Sequence, residues 1–353
     1  MWFDELTGFK EQGAAQVRQL LRFNNDTLYS LANNKSWQVG QLHTPSVSQL
    51  RIDAAHNQLP IKTPITVTER VADVQHLHAD PANAGALFQV ASQFNLLEMV
   101  SPIVTPDHGV SNYQFDRTQG PACAIACGAG LIYRNYFVPI DEQIGQTEAL
   151  QLNMLDNVAP VLVQLLLAKG ITCSDSTPWL VRNGYALPSM TQLNAVNELL
   201  AQLSDIELEQ LSGLVKIGVQ QDTQVTLLGC EHTVTQAYCS AMPVAYSQHS
   251  AALWQPLARF ILNAAYEATL AAAVVNYART GNNNVYLTLL GGGAFGNSIQ
   301  WICDAILNAF VKYQHSGLAI TIVSYGRSKL EVRQLINDFN NIAKTHAGEP
   351  HLN

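Results

Sequence analysis

The stretch Gly291-Gly292-Gly293-Ala294-Phe295-Gly296-Asn297 constrains this chain more than any other. An apolar run, Val285-Tyr286-Leu287-Thr288-Leu289-Leu290, leads into it, and a helix-period run from Ile299 to Phe310 leads out. That order predicts a strand, a glycine-rich turn and a helix N-terminus. Such a turn presents backbone N–H groups, and the helix dipole adds partial positive charge at the same place. Its natural guest is a phosphate or diphosphate. Glycine lets the backbone approach a ligand closely and take φ > 0. No Gly-Lys-Ser/Thr follows, so the run is not a P-loop. A dinucleotide fingerprint would open a βαβ unit and have an acid ~20 residues on, whereas this run sits late in the chain. Phe295, between the glycines, suits packing against a ribose or base.

Helix, strand, Gly-x-Phe-Gly turn and helix, over Ala264 to Phe310, resembles the second phosphate-binding loop of the macrodomain, the ADP-ribose-binding fold. Gly293-Ala294-Phe295-Gly296 is similar to the tetrad of macrodomains of the poly(ADP-ribose) glycohydrolase type. Ala86 to Asn95 falls where the macrodomain has a strand ending in Ala-Asn, and Thr118 to Ile125 resembles its first loop entering a helix. A further resemblance is to bacterial secreted effectors, of the Legionella type, whose macrodomain removes ADP-ribose from host proteins. The resemblance implies a three-layer α/β/α sandwich with a mixed central sheet. It also implies a diphosphate between the 118–124 turn and the 291–297 loop. Gln119, Gly120, Gly291, Gly292, Gly293, Ala294, Phe295, Gly296 and Asn297 would then bind ADP-ribose, with Tyr325 at the adenine or distal ribose. Asn95 would hydrogen-bond the ribose beside the scissile bond. The chain departs from the family in lacking its Asn-Ala-Ala-Asn and Gln-Glu-Glu runs.

Cleaving an ADP-ribosyl bond passes through an oxocarbenium-like centre and needs an acid for the leaving group or a base for water. Glu98, Asp107 and Asp116 are the carboxylates near the first loop. Asp116 precedes the diphosphate turn, and Glu98 follows Asn95 closely enough to share its ribose. The reading is an ADP-ribosyl hydrolase acting on ADP-ribosylated protein, arginine-linked first, with no cofactor. A non-catalytic ADP-ribose-binding module and a metal-dependent nucleotide-phosphate hydrolase are the alternatives. His76-x-His78, flanked by Asp73 and Asp80, would point both rings to one face of a strand, but no third ligand stands at zinc spacing.

Charge restricts the partners. Lys and Arg number 19 against 27 Asp and Glu, a net −8, which argues against a nucleic-acid surface. No apolar run approaches the ~20 residues of a membrane span. Six scattered cysteines (Cys123, Cys127, Cys173, Cys230, Cys239 and Cys303) read as reduced thiols. No basic leader opens the chain. The expected location is cytoplasmic, or a host cell reached through a specialised export system that acts on a host protein target.

Periodicity divides the chain into an N-terminal helical extension (1–60), a core (61–140 and 214–330), a helical insertion (141–213) and a C-terminal helix and tail (331–353). Within these, 65–71, 86–91, 215–219, 224–227, 234–239, 285–290 and 318–324 read as strands, and 133–138 as a strand or the end of the helix before it. One helix from Leu150 to Leu166 would kink at Pro160, and a long helix from Ala251 would break near Pro256.

Overall fold

The structure, a computed structural model, describes residues 1–57, 63–172, 176–227 and 229–347; Cys173 and Ser174 lie outside them. Seven strands form the central sheet. In chain order they are β1 (Gln41–His43), β2 (Thr66–Val71), β3 (Leu87–Ala91), β4 (Gly218–Gln224), β5 (Thr233–Cys239), β6 (Asn284–Leu287) and β7 (Ala319–Ser324). They lie in the order β1-β4-β5-β3-β6-β7-β2. From β5 to β2 every neighbouring pair is parallel. β4 runs antiparallel to β5 and to β1, so the sheet is mixed.

Helices cover both faces: α1 (Val47–His56), α2 (Val74–Ala79), α3 (Gln119–Ala126), α4 (Gly128–Tyr136), α5 (Ala251–Thr280), α6 (Ile299–Tyr313) and α7 (Leu330–Ala347). The side-chain alternation of β5 displays the layers. Thr235 and Cys239 reach Asn276 and Ala265 of α5, while Gln236 and Tyr238 point the other way, to His78 of α2 and Arg134 of α4. A parallel strand covered on both faces reads as a continuous apolar run, which is why Leu87-Phe88 and Val285-Tyr286-Leu287 were legible as strands. The expected three-layer sandwich is present.

Several local expectations are corrected. Residues 1–60 are not mostly helical: after Trp2–Thr7 and Ala14–Leu20, the strands Leu21–Asn24, Thr27–Ser30 and Ser36–Gln38 form a separate three-stranded sheet. Asn25 (φ 47°) and Asp26 (φ 58°) occupy the two-residue turn between the first two strands. Left-handed values at both positions give a type I′ hairpin, which overrides the helical spacing of Val17, Leu21 and Leu28. Residues 133–136 are the end of α4, the second of the two readings of 133–138, and 218–224 is one strand where two were expected on either side of it. Pro160 causes no kink, because the helix is only Val158–Ala168 and its first turn tolerates proline. α5 runs unbroken through Pro256. It is also long and apolar enough to cross a membrane by length and composition, with 78% of its most apolar window buried. His76 and His78 lie on a helix, so the two rings do not share one face.

The 141–213 region holds Val158–Ala168, Met190–Gln202 and Asp205–Ser212, plus a hairpin of Leu180–Arg182 and Tyr185–Leu187. Its Leu162, Leu193 and Leu199 join the same hydrophobic core as Leu87 and Ile261.

Candidate active site

A cleft of about 660 Å³ opens at the carboxyl ends of the parallel strands. Ala72 follows β2, Ala91 ends β3, Ala241 follows β5, Thr288 follows β6 and Ser324 ends β7, and all five line it. Ligands of open α/β sheets bind at this edge, because helix N-termini and strand-end loops converge there.

The wall after β6 is backbone. Tyr266, buried on α5, donates its hydroxyl to Thr288 O (2.7 Å) and accepts from Leu290 N (2.8 Å), which fixes the strand end. Gly291 then takes φ 72° and Gly296 φ 71°, values that favour glycine. Gly292 N–H donates to Leu289 O and Asn297 N–H to Gly291 O, closing the turn. Among the described residues, the N–H groups of Gly293, Ala294 and Phe295 have no hydrogen-bond partner. A Cβ on Gly293 would meet nothing within 4 Å, so the loop crest is bare backbone facing open space. Phe295 meets Tyr185 and Tyr246 at centroid distances of 5.3 and 5.7 Å. Tyr185 comes from the hairpin of the insertion, which therefore contributes a ring to this wall.

The facing wall is the turn into α3. Gly120 packs so tightly under β3 that a Cβ would lie 1.9 Å from Ala91 O. Gln119 uses its side chain to lock that junction: Oε1 accepts from Ala91 N (3.0 Å) and Nε2 donates to Gln89 O (2.8 Å). Asp116 Oδ1 accepts from Thr118 N (2.9 Å) and Oγ1 (2.7 Å), which shapes the approach to the helix. Arg117 and Lys329 are the basic lining residues; Asp73, Glu98 and Asp116 are the acidic ones. The loop carrying Tyr325, which is 75% exposed at the rim, is pinned by Glu69 through Ser324, Ser328 and Lys329 N.

Glu98 lines the cleft yet is only 3% exposed. Its Oε1 lies 3.5 Å from Arg134, and its Oε2 has no hydrogen-bond partner. Burial pushes its carboxyl up to about 8, against the smaller downward pull of Arg134. Burial thus favours the protonated form of Glu98 at the edge of the cleft, with its Oε2 covered from solvent. Its backbone N–H donates to the Tyr113 hydroxyl (2.9 Å).

Sequence reasoning placed Asn95 in this site, and the structure does not. Asn95 is fully buried outside the lining: Nδ2 donates to Gln151 (2.8 Å) and Oδ1 accepts from Leu97 N (3.1 Å), shaping the turn that delivers Glu98. Gly296 and Asn297 also lie behind the loop crest; Asn297 Nδ2 donates to Met242 O (2.8 Å) and Gly296 packs on Ala245. Asp107 accepts from Glu148 N away from the cleft. Glu98, Asp116, Gln119, Gly120, Gly291, Gly292, Gly293, Ala294, Phe295 and Tyr325 all line it. Arg134, Tyr185 and Tyr246 were missed, since none has a local pattern that sets it apart from a core residue.

Among the described residues, no group of three or more His, Cys, Asp or Glu side chains converges as a metal site would require. His78 is buried, stacked on Phe88 at 3.8 Å, and burial lowers its ring to about 4, so it is a neutral core residue.

Fold and cleft together define an α/β sandwich whose strand-end site is lined by bare backbone amides on one wall and by one buried carboxyl on the other. No protein-family model matches the chain, and no curated protein matches it. Among solved structures it is similar to poly(ADP-ribose) glycohydrolase from Deinococcus radiodurans in complex with ADP-ribose, at 9% identity over 96% of this chain and 99% of that one, TM-score 0.42. It is also similar to the glycohydrolase from Thermomonospora curvata, at 10% identity over 92% and 96%, TM-score 0.41. Identity and TM-score this low leave the roles of individual residues to the geometry of the cleft itself.

Proposed function

We propose that this chain is a glycosidase-type hydrolase that releases ADP-ribose from ADP-ribosylated protein. One observation carries the reading: Glu98, a buried carboxyl with an unengaged oxygen, shares a cleft with the N–H groups of Gly293, Ala294 and Phe295, unpartnered among the described residues. The amides take the diphosphate, and Arg117 and Lys329 supply charge at the rim. Phe295 and Tyr246 pack on the sugar or base. Glu98 gives its proton to the leaving atom as the bond to the ribose carbon breaks, and the oxocarbenium-like centre is captured by water. Asp116, whose Oδ2 has no partner among the described residues, takes the water proton. Gln119 serves through backbone alone, since its side chain is engaged in holding β3.

The arginine linkage expected from the sequence gains no support from the cleft. Neutral Glu98 has no negative charge to place beside a guanidinium, and a protonated acid suits a leaving oxygen, as in an ester or O-glycoside. Calorimetric titration of ADP-ribose, followed by release assays on ester-, arginine- and polymer-linked substrates, tests the reading. Micromolar binding with release supports it. Binding without release from any substrate leaves a recognition module, and no binding at millimolar ligand removes ADP-ribose altogether.

A further inference from the structure

Arg134 is a cation with no exposed surface, a costly placement unless its donors are matched. Nε donates to Leu96 O (2.9 Å); one terminal nitrogen donates to Gln220 Oε1 (2.8 Å) and to the Tyr238 hydroxyl (2.5 Å). The guanidinium carbon lies 3.8 Å from the Tyr238 ring centre. All of these acceptors are neutral. The remaining nitrogen lies 3.5 Å from Glu98 Oε1, the acidic group paired with it. The other titratable groups facing Glu98 are the Tyr113 and Tyr238 hydroxyls and the Cys123 thiol, each pushed up by burial and therefore neutral.

We propose that Arg134 is a positioning residue for the reaction at Glu98. Through Leu96 it braces the turn that presents Glu98, it holds Oε1 and so leaves Oε2 for substrate, and it steadies the carboxylate that forms once the proton has gone. Burial alone would leave Glu98 too weak an acid to release its proton, and burial with Arg134 sets an acid able to give it up. The inference rests on the assignment of Glu98 as the acid.

The test separates that assignment from the coupling. Carbon-13 NMR titration of the glutamate carboxyls, with Glu98→Gln to identify the signal, reads the Glu98 midpoint without substrate. In Arg134→Met the midpoint should rise by about one pH unit or more. The alkaline limb of kcat/KM should move with it, and kcat at pH 7 should fall about tenfold or more. ADP-ribose affinity should stay within roughly threefold, because Arg134 touches Glu98 and not the amides that hold the diphosphate. Arg134→Lys should recover part of the loss. Tyr238→Phe, which drops the hydroxyl anchor and keeps the ring, should move both readouts the same way by less, and it decides the matter if Arg134→Met does not fold. An unmoved midpoint and limb in either folded variant overturns the proposal. A moved midpoint in a protein that releases no ADP-ribose overturns the hydrolase reading instead and leaves the coupling standing.

Discussion

Around Gly293 the cleft is walled by bare backbone, whereas around Glu98 it is walled by one side chain that folding has stripped of water. The first wall is local: strand end, turn and helix start lie within Leu287 to Ile299, and the N–H groups need only the turn to be available. The second is assembled from afar. Leu96 and Tyr113 come from one long loop, Arg134 from α4 and Tyr238 from β5. An anion site made of amides can be built by a dozen consecutive residues, but an acid of raised proton affinity needs a buried environment drawn from the whole domain.

The sharpest way to break the comparison is to make each wall fail separately. Glu98→Gln should lower release by about 10²-fold or more, with ADP-ribose binding nearly unchanged. Gly293→Glu should abolish binding, and release with it, while leaving the melting temperature in place, since its side chain enters open space. Calorimetry and a release assay on the two variants check both; loss of binding in Glu98→Gln, or binding retained in Gly293→Glu, would erase the division of labour. Moving inward, Gly120→Ala should destabilise by about 1–3 kcal/mol in denaturant titration, because the new methyl group meets Ala91 O.

pH sharpens the Glu98 side. The folded carboxyl sits at about 8 against an ordinary 4.5, so between those values the folded state holds a proton that the unfolded chain has lost. Stability should therefore fall as pH rises through that window and level off above it. Glu98→Gln should flatten the curve and raise stability at its alkaline end, as thermal melts across pH will show. Activity should decline above about pH 8, where the acid is spent before substrate arrives. Asp116→Asn should cost less than Glu98→Gln, since an amide oxygen still caps Thr118 and only the charge is lost. The smallest effect belongs to EDTA, which should leave release unchanged.

The same contrast explains what could be read in advance. The sheet strands announced themselves because two covered faces make apolar runs, and the glycine turn because few residues other than glycine take its φ values with so little room. Asn95 was misplaced because its type and position suit a ribose contact equally well as a turn, and the hydrogen bonds to Gln151 and Leu97 decide for the turn. Glu98 was legible as a candidate, but its raised proton affinity was not, since it comes from burial by residues far away in sequence and nothing near Glu98 announces it. The hairpin at Asn25-Asp26 was the avoidable miss: adjacent Asn and Asp are a turn signal that the helical spacing around them obscured.

Trp2 and Lys329 both touch the cleft, and β6 is held in the sheet by β7, which is made later. During synthesis on the ribosome, the Glu98 segment and the glycine loop emerge well before the strand that completes their shared edge. A nascent or prematurely stopped chain therefore has the chemistry in its sequence without a cleft to use it in. The cleft is complete only once residue 329 has emerged, and a product that stops before it lacks Lys329 from the lining.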